Sequence, residues 1–69
     1  MLDTFLRERE VKQKTGIPRS QRYRMMASGE FPRPVKISER CVAWSAAEIE
    51  QWQLERIAKR DDKELEVAK

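Results

Sequence analysis

Between Thr15 and Arg24 the chain reads TGIPRSQRYR, which sets Arg19, Ser20, Gln21, Arg22, Tyr23 and Arg24 in immediate succession after a glycine-marked turn. These residue types suit the recognition of an anionic polymer rather than bond-making chemistry. A guanidinium fork matches guanine O6 and N7, a Gln amide matches adenine N6 and N7, and a Ser hydroxyl can serve either base. Arg19, Ser20 and Gln21 would occupy the first turn of a helix, the part that reaches base edges when a recognition helix lies in the major groove. Tyr23 and Arg24, one turn later, can reach phosphate or sugar. Lys12 and Lys14 can approach the backbone from a preceding helix. Lys36 and Arg40 flank a polar turn further on, where they can touch an adjoining minor groove or its phosphates. The plainer reading is that an arginine-rich helix face is only solvated and that Tyr23 packs at a helix junction.

Other chemistry finds little support. The chain has no histidine, the readiest general base near neutral pH. Most carboxylates sit a few residues from Lys or Arg on expected helix faces, the pattern of solvated pairs. There is no phosphate loop, dinucleotide fingerprint or nucleophile elbow. A single cysteine, Cys41, excludes an internal disulfide and a multi-cysteine zinc site, and it is expected as a small half-buried strand residue. We therefore expect no enzyme activity, metal or cofactor.

Charge is uneven along the chain. The net formal charge is +3, yet residues 12–40 carry eight Lys or Arg against Glu30 and Glu39, whereas residues 41–69 carry five bases against seven acids. A basic middle beside a mildly acidic end fits an electrostatic footprint on one face. With 69 residues the chain supports one domain with a small core. No apolar run approaches the ~20 residues of a membrane span, and the start lacks a signal-peptide pattern, so a cytoplasmic, nucleoid-associated protein is expected.

The elements that would position these side chains follow from punctuation and periodicity. MLDTF is a loose or briefly extended lead-in. REREVKQKT is helix-forming, with Leu6, Val11 and Thr15 spaced to face inward, and Gly16 can take the left-handed conformation that closes it. Pro18 suits the entry to a second helix over about 19–28, packed through Met25 and Met26 and closed by Gly29. Two prolines in FPRPVKI force an extended entry; VKI and CVAW read as two short strands around the turn SER. Ser45 with Glu48 forms a capping box for a third helix, and Trp44 with Ile49 a hydrophobic staple. Ile49, Trp52 and Ile57 are expected to continue its inward stripe. Arg33, between two prolines, can lie over Trp44 or Trp52. The order helix, turn, helix, hairpin, helix describes a mainly α fold with a small β-hairpin, a winged helix-turn-helix. Residues 1–60 would form the domain, and 61–69 a frayed or disordered charged tail.

The ordered set Arg9-Glu10-Val11, Thr15-Gly16, Ser20, Tyr23-Arg24, Gly29, Phe31-Pro32-Arg33-Pro34-Val35-Lys36-Ile37, Arg40, Trp44, Glu48-Ile49 and Trp52 resembles the AlpA family of small phage and prophage regulators. That family is similar to the MerR-type winged helix-turn-helix and to the excisionases of mobile elements. The resemblance spans roughly residues 5–58 and implies a double-stranded DNA partner. It also implies one of two jobs: transcriptional control of an integrase or neighbouring gene, or recombination directionality by binding and bending attachment-site DNA beside an integrase, with cooperative self-association on repeated sites.

This chain departs from the family pattern in places. Pro18 stands where a capping Ser is usual, Gln21 replaces a common Thr, and SER replaces a glycine-rich tip in which Glu39 would repel phosphate. Arg22 replaces an apolar residue and is expected to run its stem over the core and show its charge to DNA. Glu8 also sits at a usually apolar position, where an acid suits the helix dipole. The competing reading is an accessory module that docks its helical tail, with Leu65 and Val67, on an integrase without reading sequence. RNA binding is disfavoured because Tyr23 is the one plausible exposed stacking aromatic.

Overall fold

The computed structural model describes residues 3–67, and the side chains of residues 3–62. A short strand, β1 (Phe5–Leu6), leads into α1 (Glu8–Thr15) and α2 (Arg19–Ala27); β2 (Val35–Ser38) and β3 (Cys41–Ser45) then form a hairpin before α3 (Ala46–Val67). The lead-in thus ends in a strand. It pairs antiparallel with β3, Phe5 opposite Ser45 and Leu6 opposite Trp44, and the sheet order is β1-β3-β2. The architecture is a winged helix-turn-helix whose wing is rooted through a third strand.

Each turn has a local cause. The Glu10 carboxylate accepts the backbone N–H of Arg7 (3.0 Å), which satisfies a donor at the start of α1. Glu8 and Glu10 lie in that helix's first turn and Lys12 and Lys14 in its last, both favourable to its dipole. Gly16, at φ 72°, donates its N–H to the Lys12 carbonyl (2.8 Å), and a side chain there would meet the strain of left-handed backbone. Pro18 precedes α2 in extended conformation. Gly29, at φ 80°, then turns the chain away from α2.

The core is small: Leu6, Val11, Met26, Phe31, Trp44 and Ile49 are buried together, with Ile17, Met25, Ala46 and Trp52 packed against them. Every element except β2 contributes. Trp44 donates its indole N–H to the Pro32 carbonyl (3.1 Å), and the rings of Phe31 and Trp52 meet edge to face at 4.8 Å. Trp52 donates to the Glu30 carbonyl (2.7 Å), so the loop between α2 and β2 is pinned to α3.

Ser45 caps α3 as its sequence position suggests, its hydroxyl accepting the Glu48 N–H (3.2 Å). A second cap, unforeseen, comes from Asp3: its carboxylate accepts the Ser45 hydroxyl and the Ala47 N–H. Those bonds, the Ser45 one foremost, hold the Asp3 carboxyl below its ordinary value against a smaller opposing effect of burial.

Two expectations need correction. Ile57 does not continue the inward stripe; it and Leu54 are exposed, because α3 has by then run past the small core. The tryptophan rings are covered by Arg22 over Trp44 and Arg56 over Trp52, not by Arg33, which is exposed. The boundary expected at residue 60 lies within α3, which is helical from Ala46 to Val67; the side chains of Leu65 and Val67 lie outside the described residues.

Candidate nucleic-acid interface

The second helix, α2, divides sharply into two faces. Arg22 and Met26, four residues apart, are its buried positions, and at 3.6 residues per turn they fix which side faces in. Ser20 and Arg24 then lie nearly opposite Arg22, with Gln21 and Tyr23 on the flanks. Arg19, Ser20, Gln21, Tyr23 and Arg24 are all exposed. Arg19 stacks its guanidinium over the Tyr23 ring at 4.7 Å, so Tyr23 joins the outer surface instead of the helix junction. Ion pairs among the described residues are Arg22–Glu8 and Arg60–Asp61; neither involves Arg19 or Arg24. The helix has no side-chain cap and no acid in its first turn. Its leading N–H groups and positive dipole end therefore add to the charge of Arg19.

Arg22 is the exception. Its side chain is fully buried, so it presents no charge to a surface ligand, and the expectation that it does so is overturned. Its Nε donates to the Ile17 carbonyl (3.0 Å), its Nη2 pairs with the Glu8 carboxylate, and its guanidinium lies over the Trp44 ring at 5.4 Å. A guanidinium can be removed from water only when its charge is met, and α1 meets it with Glu8. Both are residues that depart from the apolar pattern of the resembling family. Together they form one polar contact that sets α2 against α1. Glu8 therefore does more than complement a dipole.

The hairpin carries exposed cations of its own. All four residues of β2 are exposed, and so is Arg40 in the turn. Lys36 and Arg40 have no acid within ion-pair distance among the described residues. Lys12 and Lys14 are also exposed, on the last turn of α1. Cys41 opens β3 half-buried, with a free thiol.

A second feature is a groove between the loop after Gly29 and α3, lined among others by Phe31, Arg33, Val35, Glu48, Trp52 and Arg56. Its charges are mixed and its mouth is open. Among the described residues, no group of His, Cys, Asp and Glu could hold a metal ion, and no helix is long and apolar enough to cross a membrane.

The family described as Prophage CP4-57 regulatory protein (AlpA) matches residues 4–57, the stretch from just before β1 to the middle of α3. The chain is also 40% identical over 58 residues to "Uncharacterized protein ORF88" of Enterobacteria phage P4, a match covering 84% of this chain and 66% of that protein, just under two thirds of the relative's length. With the family model matched over residues 4–57, most of its length, this chain belongs to the AlpA family of prophage regulatory proteins.

Proposed function

We propose that the protein binds double-stranded DNA in a sequence-specific manner and acts as a regulator of integrase-type genes, as an excisionase at attachment sites, or as both. The observation that carries this reading is the outer face of α2, where Arg19, Ser20, Gln21, Tyr23 and Arg24 are exposed together with no acidic partner among the described residues. A helix of about 10–12 Å diameter suits the major groove. Gln21 and Arg19 would read base edges, while Ser20, Tyr23 and Arg24 contact base, sugar or phosphate. Lys36 and Arg40 would hold the wing beside the helix, against the adjoining groove. Arg22 has no direct contact in this scheme; it orients the helix from behind.

The family description, a prophage regulatory protein, favours the same class of activity. Selection of bound duplexes from a random pool, followed by a gel shift against competitor DNA at physiological salt, tests the reading. A recovered consensus with retained specific complex is expected; a complex that competitor DNA of any sequence displaces equally would overturn sequence-specific recognition. Footprinting of an attachment site with an excision assay separates the excisionase role from gene control. A second reading rests on the exposed Leu54 and Ile57 of α3, which offer an apolar strip for docking on an integrase. Copurification with integrase by a protein that retains no DNA complex would favour that alternative.

A further inference from the structure

The wing carries an irregularity that the cationic residues do not explain. Val35 pairs with Ala43 and Lys36 with Val42, but the next registered pair is Ser38 with Cys41. Ile37 is therefore the extra residue of a β-bulge, with no cross-strand partner. Bulges twist a strand locally and re-aim the side chain they carry, and they concentrate beside functional sites. Here the residue is a branched aliphatic, 47% exposed and absent from the core cluster. It also sits on the sheet's free edge, since β2 is the outer strand.

The surroundings indicate what such a residue meets. Lys36 precedes it and Arg40 follows in the turn, both exposed and without an acid partner among the described residues. Val42, the cross-strand partner of Lys36, is exposed as well. An aliphatic tip between two cations complements a surface with anionic rims and apolar walls. The DNA minor groove has that form: phosphates along both edges, deoxyribose C–H groups on the walls and stacked bases at the floor. Glu39, at the turn itself, opposes entry by the tip. The edge of β2 can approach without leading with that carboxylate.

We propose that Ile37 is an apolar wedge, set by the bulge against a minor-groove base step that it partly unstacks, with Lys36 and Arg40 holding the flanking phosphates. The inference rests on the double-stranded DNA reading above and adds to it a deformation of the duplex. Aliphatic side chains inserted between base steps kink DNA in this way. The cost of opening a step depends on its sequence, so the wing would contribute specificity at a position where no hydrogen bond reads a base.

The test uses the full chain on a selected duplex, with 2-aminopurine placed in turn at each step beside the α2 footprint. Wild-type protein should raise the fluorescence at one step. Ile37→Ala should return that step to the level of free duplex and reduce the bend measured with permuted fragments. Its affinity should stay within about tenfold, because the lost apolar contact and the avoided unstacking offset one another. Ile37→Leu, which keeps the volume, should retain the signal, and unchanged circular dichroism of both variants shows the fold intact. A bound wild-type complex with no fluorescence rise at any step overturns the wedge alone, as does an Ile37→Ala complex with an undiminished rise. Failure of wild-type protein to retain any duplex instead refutes the DNA-binding reading, and the wedge with it.

Discussion

Replacing Glu8 by Leu removes the carboxylate that meets the guanidinium of Arg22, and the structure sets the size of the effect. Arg22 is fully buried, and it would keep its bond to the Ile17 carbonyl and the face of Trp44. Its Nη1 has no partner even in the intact protein. Breaking a wholly buried ion pair costs about 3–5 kcal/mol. The Glu8 side chain is 41% exposed although its Oε1 is buried without a partner, so the pair is only partly withdrawn from water and about 2–3 kcal/mol is the expected loss. Arg22→Met removes the buried charge itself. The Glu8 carboxylate left behind can hydrate, so that change should cost only about 1 kcal/mol. The double variant restores an apolar contact and should cost no more than about 1 kcal/mol relative to wild type, giving a coupling energy of about 2–4 kcal/mol. Thermal unfolding followed by circular dichroism reads this directly: Glu8→Leu should lower Tm by about 10–20 °C, at 4–8 °C per kcal/mol for a domain of this size. The double variant should bind DNA with an unchanged salt slope, since Arg22 makes no phosphate contact. Additive single effects, or a Glu8→Leu protein as stable as wild type, would refute the buried-pair account.

Gln21→Ala should weaken binding to the selected site by about 1–3 kcal/mol and relax preference at one base pair; equal weakening on all sequences in a competition assay would show that Gln21 reads no base. Arg40→Ala should weaken binding to every duplex and make the slope of log K against log salt shallower by about one, so a titration with an unaltered slope would remove Arg40 from the phosphate contacts. Asp3 is held below its ordinary carboxylate value of 3.8, mainly by the Ser45 hydroxyl. A lowered folded-state value means its contribution is present above pH 3.8 and is lost as pH falls through the folded value. Asp3→Ala should therefore destabilise the protein at neutral pH and flatten the acid limb of a stability–pH curve; an acid limb as steep as wild type would contradict this.

What was legible in the sequence was whatever a few neighbouring residues determine. Gly16, Pro18 and Gly29 mark the ends of α1 and α2 because backbone conformation is restricted at the residue itself. Ser45 marks the start of α3 because a cap acts within one turn. The same locality hid the Asp3 cap, which joins residues more than forty positions apart. It also misdirected the reading of Ile57: helical spacing identifies a stripe but not where the partner surface ends, and a core of this size runs out before residue 54. The bulge at Ile37 was equally hidden, since strict alternation in VKI reads the same whether or not the opposite strand is one residue short.

Arg22 and Glu8 show the limit most clearly. Each breaks an apolar pattern, and taken singly each invites a surface role: charge shown to DNA for one, dipole complementarity for the other. Fourteen residues separate them, across a turn whose angle no periodicity encodes, so their meeting becomes visible only when α1 and α2 are packed. Once packed, the two departures make a pair that neither helix could bury alone. This reassignment sharpens the candidate interface. With Arg22 committed to the interior, the helix has one rotational setting that satisfies its charge, and that setting turns Ser20 and Arg24 outward. A buried guanidinium is thus an orienting device for the exposed ones: an apolar residue at position 22 could slide against Trp44, whereas a bond to the Ile17 carbonyl and an ion pair to Glu8 fix the rotation of α2 against α1.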